Sequence, residues 1–148
     1  MDRFQTAKDI FAKVFYLERL WNSRGDKWFA GDGLTTKQWF LLVMVGSKFE
    51  NPPALKEVAR AMKTSHQNVK SIALKLQKNG FVELLADYND RRVTRIKLRD
   101  NVEGYFKARS AEIEKYILAL FEEVDTADLE LANRLIDRLI DNAEREEK

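Results

Sequence analysis

Basic side chains are concentrated between residues 56 and 99, where their charge suits a phosphate-rich partner. This stretch contains eleven lysines and arginines against four acidic residues, a net charge of +7. From residue 100 to 148 the balance reverses to seven basic and fourteen acidic residues, a net charge of −7. A basic segment beside an acidic one indicates that one part of the chain meets a polyanion while the other has a different task.

Short polar and basic side chains within this stretch have the chemistry of DNA base recognition. Amide side chains can pair with adenine, lysine meets guanine or phosphate, and serine meets either. The predicted DNA-contacting set is Ser65, His66, Gln67, Asn68, Lys70, Ser71 and Lys75. The alternative is the solvated face of an ordinary helix, but the basic hairpin predicted directly after it favours contact with DNA.

The spacing of apolar residues places this set on the second helix of a helix-turn-helix. A short helix is predicted over 55–62 and a second over 66–78, with Ser65 as its N-cap and Gly80 just beyond its end. The inward-facing residues are Leu55, Val58, Ala59 and Met62, then Val69, Ile72, Ala73 and Leu76. Two strand-like runs flanking six polar residues follow, which predicts a winged helix-turn-helix whose second helix enters the major groove.

The residues before this module predict two further helices. The first covers residues 3–23 with a broad apolar face, and Gly25 begins a loop that continues to residue 33. Thr35 and Gln38 fit a capping box for the second helix, because each side chain can pair with an orphan backbone N–H group. This second helix runs to about Phe49, is apolar nearly all round, and is therefore predicted to be the buried central element.

The predicted hairpin tip has the sequence Asp87-Tyr88-Asn89-Asp90-Arg91-Arg92. It resembles the wing tip of the MarR family (multiple antibiotic resistance regulators), whose pattern is roughly D-x-R-D-x-R. Asp87, Asp90 and Arg92 match this pattern, whereas Asn89 stands where a basic residue is usual. The resemblance covers the whole chain, including Thr35-x-x-Gln38, the Lys78-Asn79-Gly80-Phe81-Val82 run that enters the wing, and the paired terminal helices.

The resemblance implies roles for several residues of the hairpin. Arg92 would enter the minor groove of DNA and Asp90 would orient it. A narrow minor groove concentrates negative potential, which suits a guanidinium group. Arg91 and Arg95 would lie near the DNA backbone.

The terminal helices resemble the dimerisation region of the same family. Helices are predicted over 101–123, begun by Asp100, and over 126–145, begun by Thr126, and their apolar faces are too wide for packing on a small winged-helix core alone. The predicted fold class is mainly α with a small β wing, in which a winged helix-turn-helix core carries N- and C-terminal dimerisation helices. The DNA-binding domain is predicted at 34–99 and the dimerisation region at 1–33 and 100–148. A monomer that covers its own apolar stripes is the alternative.

The resemblance also implies a pocket for small aromatic anions between the dimer lobe and the winged helix. Its candidate residues are Trp21, Arg24, Trp28 and Trp39. Tryptophans in such positions more often belong to the core, which is the competing interpretation.

Several function classes are excluded or disfavoured by residue content. The chain has no cysteine and one histidine, so thiolate chemistry and a zinc–thiolate site are excluded, and no metal or cofactor is predicted. No nucleophile–base pair or glycine-rich phosphate loop is evident, so an enzyme is not expected. The N-terminus lacks an apolar signal region, which predicts a cytoplasmic protein without membrane contact.

We expect a homodimeric DNA-binding transcriptional regulator of the repressor type with a palindromic operator. The alternative is a winged-helix protein-interaction module of a transcription assembly.

Overall fold

The computed structural model describes residues 2–146 as a mainly helical chain with one small antiparallel sheet, which confirms the predicted fold class. The elements are α1 (Arg3–Phe29), a 3-10 turn (Ala30–Asp32), α2 (Thr36–Lys48), α3 (Leu55–Met62), α4 (His66–Lys78), β1 (Val82–Ala86), β2 (Thr94–Leu98), α5 (Asn101–Ala119) and α6 (Thr126–Glu146). The described residues form two compact units, one up to Glu103 and the other from Gly104.

The core of the first unit lies where α2, α3, α4 and the two strands meet. Its fully buried large side chains are Leu41, Leu42, Leu55, Val58, Val69, Leu76, Val82 and Ile96. The predicted inward stripe of α4 is buried at all four positions, and that of α3 at three of four, with Met62 half-buried. Burying one face of each helix fixes α4 with its polar face directed to solvent.

The first helix is longer than the sequence pattern predicts, because Gly25 lies inside α1 and does not begin a loop. Gly25 is buried where α1 crosses the start of α2. A Cβ atom there would lie 2.1 Å from Thr36 Oγ1, 3.2 Å from its Cβ and 3.3 Å from its Cγ2. Thr36 is further bound to α1, since its hydroxyl donates to the Asn22 carbonyl (3.3 Å) and its N–H to Asp26 (2.8 Å). The glycine therefore permits close helix approach.

The second helix begins as predicted but buries only one side. Thr35 Oγ1 accepts from the Gln38 N–H (3.2 Å), and Gln38 Oε1 accepts from the Thr35 N–H (3.0 Å), which completes the capping box. This pairing also satisfies Gln38, a buried polar residue. Phe40 is exposed on the other side of α2, so this helix, predicted to be the buried central element, is buried along one face only.

The second unit contains most of α5 and all of α6, and its helix ends differ from the prediction. Helix α5 ends at Ala119, before the predicted residue 123, and the chain then turns with Glu123 in the left-handed region (φ 65°). Asp125, and not Thr126, caps α6, since Asp125 Oδ1 accepts from the Asp128 N–H (2.8 Å). Aspartate and threonine are both good N-caps, so their adjacent positions hid which one would serve.

Each unit exposes a broad apolar helix face. On α1 the exposed large side chains are Phe4, Ile10, Phe11, Val14, Phe15, Tyr16, Leu17, Leu20 and Trp21. On α6 they are Leu131, Leu135, Ile136, Leu139 and Ile140. Single exposed apolar residues are ordinary, whereas contiguous sets of this size mark interaction surfaces. No helix in residues 2–146 is long and apolar enough to cross a membrane.

Gly25→Ala should destabilise the first unit by about 1–3 kcal/mol, the usual cost of overpacking. Rotating Thr36 would break the hydrogen bond from its hydroxyl to the Asn22 carbonyl, and its Cβ would still lie 3.2 Å from the new methyl group. Thermal unfolding should show a midpoint lower by several degrees. Gly104→Ala is the matched control, since a Cβ there meets nothing within 4 Å and alanine favours a helix. Equal midpoints for the two variants would contradict the close-approach role.

Candidate nucleic-acid interface

The turn between α3 and α4 fixes where the candidate recognition helix begins. Lys63 adopts the left-handed conformation (φ 54°), and the Thr64 N–H donates to the Ala59 carbonyl (3.0 Å). Ser65 caps α4 as predicted, with its Oγ accepting from the Asn68 N–H (3.1 Å). The Asn68 side-chain amide donates to Thr64 Oγ1 (2.9 Å). Ser65 and Asn68 thus build the turn, while the remaining predicted contact residues project from the helix itself.

The outward face of α4 presents polar and basic side chains to solvent. The exposed residues are His66, Gln67, Lys70, Ser71, Lys75 and Lys78. Leu74 lies in the middle of this face with 47% of its surface exposed. A helix of this width fits the major groove, where amides and lysines reach base edges and a leucine can meet a thymine methyl group. The structure thus brings five of the predicted residues together on one accessible surface: His66, Gln67, Lys70, Ser71 and Lys75.

Two amide side chains near the end of α4 tie it to its neighbours, and no sequence signal pointed to either. Gln77 Oε1 accepts from the Leu84 N–H of β1 (2.8 Å). The Asn79 side-chain amide donates to the Gly33 carbonyl (3.0 Å), in the loop before α2. Gln77 holds the hairpin against α4, so the two candidate DNA-contacting elements keep one geometry. Only the folded chain, which brings Leu84 to Gln77 and Gly33 to Asn79, distinguishes these amides from ordinary surface residues.

The hairpin tip is organised around two carboxylates. Asp87 Oδ2 accepts from the N–H groups of Asn89 and Asp90, both at 3.0 Å. Asp90 Oδ1 accepts from the Arg92 backbone N–H (3.1 Å) and Nε (3.0 Å), and Asp90 Oδ2 accepts from Nη2 (3.2 Å). The Arg92 side chain is nevertheless 91% exposed. Hydrogen bonds from Arg92, through its side chain first and then its backbone, lower the pKa of Asp90. Asp90 therefore holds the guanidinium in one direction while leaving it open to solvent.

Arg95 anchors the base of the hairpin inside the first unit. Its guanidinium donates to Asp87 and to the Pro52 carbonyl (Nη1, 3.0 Å), and Nη1 lies 3.7 Å from Glu57 Oε1. The hydrogen bond to Asp87 raises the pKa of Arg95 and is the main cause of the lowered pKa of Asp87. Beside it, the Ile96 N–H donates to the Pro53 carbonyl (2.9 Å). The predicted contact of Arg95 with the DNA backbone stays untested, and its observed contacts are internal ones that the sequence did not indicate.

The tryptophans predicted to form a ligand pocket are only partly assembled. Phe29 stacks on Trp39 (ring centroids 5.4 Å apart) and meets Trp28 edge-on (4.9 Å). Trp39 Nε1 is the one buried side-chain nitrogen or oxygen without a hydrogen-bond partner among the described residues. Trp21 and Arg24 are exposed on α1, about two turns and one turn before Trp28. The three-ring cluster contains Trp28 and Trp39 but is centred on Phe29, which the prediction omitted.

Known proteins resemble this chain in fold at low sequence identity. No family model matches the sequence. A MarR protein from Peptoclostridium difficile aligns with a TM-score of 0.80 and 21% identity, over 93% of this chain and 89% of the other. MepR from S. aureus, solved as a complex with DNA, aligns with a TM-score of 0.76 and 13% identity, over 89% of this chain and 97% of the other. The chain has the winged-helix fold of the MarR regulators.

One curated relative is a partial match. The Transcriptional activatory protein BadR of Rhodopseudomonas palustris is 24% identical over 91 residues, which is 61% of this chain. The match spans about half of BadR, 52% of its length. In the MarR-type fold, α3 and α4 form the helix-turn-helix and β1 with β2 forms the wing. The predicted resemblance is confirmed at the level of the fold. Contacts of individual residues with DNA remain predictions.

The lowered pKa of Asp87 predicts how the MarR-type wing responds to acid. A carboxylate with a depressed folded pKa contributes stability that is complete above its unfolded value, about 4, and is lost as pH falls through the folded value. The backbone N–H groups of Asn89 and Asp90 donate to Asp87. Their NMR resonances should therefore shift as the Asp87 carboxylate is protonated, with a midpoint below pH 4. Arg95→Gln removes the main cause of the shift and should move the midpoint upward. An unchanged midpoint in Arg95→Gln would contradict the assigned cause.

Proposed function

We propose that the chain is a sequence-specific DNA-binding transcriptional regulator of the MarR family that acts in the cytoplasm as a homodimer on a palindromic operator. The observation that carries the proposal is the pairing of two accessible surfaces on one compact unit. The outward face of α4 is polar and basic, and the wing beside it holds an exposed Arg92 in place through Asp90. The likeness of the whole fold to a protein solved on DNA supports the same use.

In the proposed complex, α4 lies in the major groove and the wing in the adjacent minor groove. Gln67 and Asn68 would pair with base edges, and Lys70 and Lys75 would meet guanine or phosphate. The hydroxyls of Ser65 and Ser71 and the imidazole of His66 would complete the contacts near the start of the helix. Arg92 would enter the minor groove, where negative potential is highest over A·T-rich DNA. Arg91 would meet the backbone, and we assign Arg95 chiefly to bracing the wing.

The exposed apolar faces support the homodimer. Helices α1 and α6 each present a continuous set of large apolar residues, which water solvates unfavourably. The second unit is strongly acidic, so its association must be driven by apolar burial and not by charge. A twofold dimer carries two copies of α4 and therefore reads an inverted repeat, with half-site centres about 34–36 Å apart.

Repression is the proposed sign of regulation. A dimer bound across its operator excludes polymerase from the same DNA by occupancy, which requires no further protein surface. The relative BadR is titled an activator, so a reporter gene behind the recovered operator tests the sign. Higher reporter output without the regulator supports repression, and lower output contradicts it.

Release by a small aromatic anion is the proposed mode of control. The cluster of Trp28, Phe29 and Trp39 contains an indole N–H without a partner, which is the kind of donor that a ligand acceptor would satisfy. Trp21 and Arg24 would complete the site from α1. A ligand must favour the DNA-incompetent state to cause release. Phenylacetate should weaken operator binding more than cyclohexylacetate, and Trp39→Phe should reduce this difference; equal effects of the two acids would contradict an aromatic site.

DNA binding itself is tested by selection of bound fragments followed by a salt titration. The selected fragments should share an inverted repeat, and the affinity should fall steeply with salt, by about 0.9 log units per log unit for each phosphate contact. The rival function, a winged-helix module that binds a protein in a transcription assembly, requires neither result. Absence of an enriched repeat would therefore favour the rival.

Arg92→Ala should lower operator affinity about tenfold or more in a mobility-shift assay, as expected for loss of one groove contact on each subunit. Arg92→Lys is the matched control, because it keeps the charge but cannot donate to both carboxylate oxygens of Asp90 in the fork geometry of the guanidinium. It should retain the salt dependence while losing part of the affinity. Wild-type affinity in Arg92→Ala would exclude the wing from the interface.

Leu139→Asp should convert the dimer to monomer, because it places a charge within the apolar face of α6. Sedimentation velocity at micromolar concentration measures the change directly. Leu139→Met keeps an apolar side chain of similar volume and should sediment as the wild type does. If the aspartate variant remained a dimer, the α6 face would not be the interface.

A further inference from the structure

Tyr88 is the most exposed large aromatic residue in the described part of the chain. Its exposed fraction is 99%, whereas the next most exposed, Phe4 and Phe11, reach 69%. Phe4 and Phe11 belong to the apolar face of α1, but Tyr88 lies at the tip of the wing beside Asn89, which is also exposed. A phenol ring held wholly in water buries no apolar surface and therefore contributes no hydrophobic stabilisation to the fold. One exposed ring is ordinary by itself, but this ring lies on a hairpin tip that is closed by hydrogen bonds and flanked by exposed arginines.

The backbone beneath this pair is fixed, so its exposure does not arise from a loose loop. Asp87 Oδ2 accepts the N–H groups of Asn89 and Asp90, and the Asp87 N–H donates to the Val93 carbonyl (2.9 Å). The Val93 N–H donates in turn to the Asp90 carbonyl (3.0 Å). These bonds close the tip on both sides. The ring of Tyr88 and the amide of Asn89 are therefore presented from a preformed platform.

The charge around the platform points to the class of partner. Arg91 and Arg92 follow directly and are exposed, while the two aspartates of the tip have their carboxylates engaged by backbone N–H groups and arginines. The accessible tip is therefore basic with two uncharged hydrogen-bonding side chains, which suits a polyanion better than an acidic or purely apolar protein surface.

We propose that Tyr88 and Asn89 form a second, uncharged contact of the wing with the minor groove and make the wing selective for A·T base pairs. This inference rests on the proposed function. The Asn89 amide would donate to adenine N3 or thymine O2, the acceptors that both A·T orientations present. The ring of Tyr88 would lie along the deoxyribose wall with its hydroxyl toward phosphate. Asparagine and apolar side chains are common minor-groove contacts.

The 2-amino group of guanine is what this contact would reject. It is the one donor in the minor groove of a G·C pair, and it projects where the Asn89 N–H groups would point. Because Asn89 carries no charge, its contribution is a directional hydrogen bond, while Arg92 supplies the electrostatic attraction. The two residues thus divide selectivity and affinity between them.

Base analogues that change only the minor groove provide the test. Hydroxyl-radical footprints of the wild type and Arg92→Ala on a selected operator first locate the base pairs under the wing. Replacing adenine there by 2,6-diaminopurine adds the 2-amino group, and replacing guanine by inosine removes it, while the major-groove pattern is unchanged. We expect about tenfold weaker binding with diaminopurine, of the order of one base-pair contact. Inosine at a G·C position should strengthen binding.

Variants of the tip assign the effect to the two residues. Asn89→Ala should reduce the diaminopurine effect to less than about twofold while keeping the footprint, as expected when the base contact is lost. Tyr88→Ala should weaken binding to all duplexes several-fold, and Tyr88→Phe, which keeps the ring, should retain most of the affinity. Thermal unfolding of each variant checks that the fold persists.

The outcomes separate this inference from the function on which it rests. Failure to select any DNA would overturn the proposed function. Arg92-dependent binding that ignores both analogues would leave that function standing and overturn the minor-groove selectivity. An analogue effect that persists in Asn89→Ala would likewise exclude Asn89 as its source. Unchanged affinity in Tyr88→Ala would exclude the tyrosine.

Discussion

The ion pair between Asp87 and Arg95 is the constraint on which the candidate DNA-binding surface depends. A two-stranded hairpin is marginally stable by itself and needs packing or anchoring to hold its shape. Arg95 joins the tip, through Asp87, to the Pro52 carbonyl and to Glu57 at the start of α3. Gln77 adds a bond from α4 to β1. These contacts hold the wing against α3 and α4, which would reduce the cost of ordering both elements in the proposed DNA complex.

The acidic residues of the basic segment shape its charge and do not simply dilute it. Of its four acids, Glu57 and Asp87 face Arg95, and Asp90 binds Arg92. Each of these carboxylates also accepts a backbone N–H, from Ala54, Asn89 and Arg92 respectively. These three carboxylates thereby stabilise local structure, whereas the lysines of α4 and the arginines of the tip stay accessible. The segment with a net charge of +7 therefore contains charged groups that hold the hairpin in place and others that are exposed to a partner.

The sequence predicted the elements well where several local signals agreed. The stripe of α4, its Ser65 cap and Gly80 all indicated one helix, and the structure has it. Gly25 was misread because its role depends on Thr36, which lies on the next helix. The internal contacts of Arg95 were missed for the same reason, since Pro52 and Asp87 come close only in the fold. Errors therefore arose where tertiary contact decides what a residue does, and the neighbouring caps at 125 and 126 are the local exception.

The opposite charges of the two parts also favour contact of DNA with the basic segment over contact with the acidic one. The last 49 residues carry a net charge of −7, which repels a polyanion over the range of a Debye length, about 8 Å in physiological salt. Two such lobes also repel each other, so the apolar face of α6 must supply more free energy than the repulsion costs. Higher salt would then strengthen the dimer while it weakens DNA binding. The two equilibria depend on salt with opposite signs because one joins like charges and the other joins unlike charges.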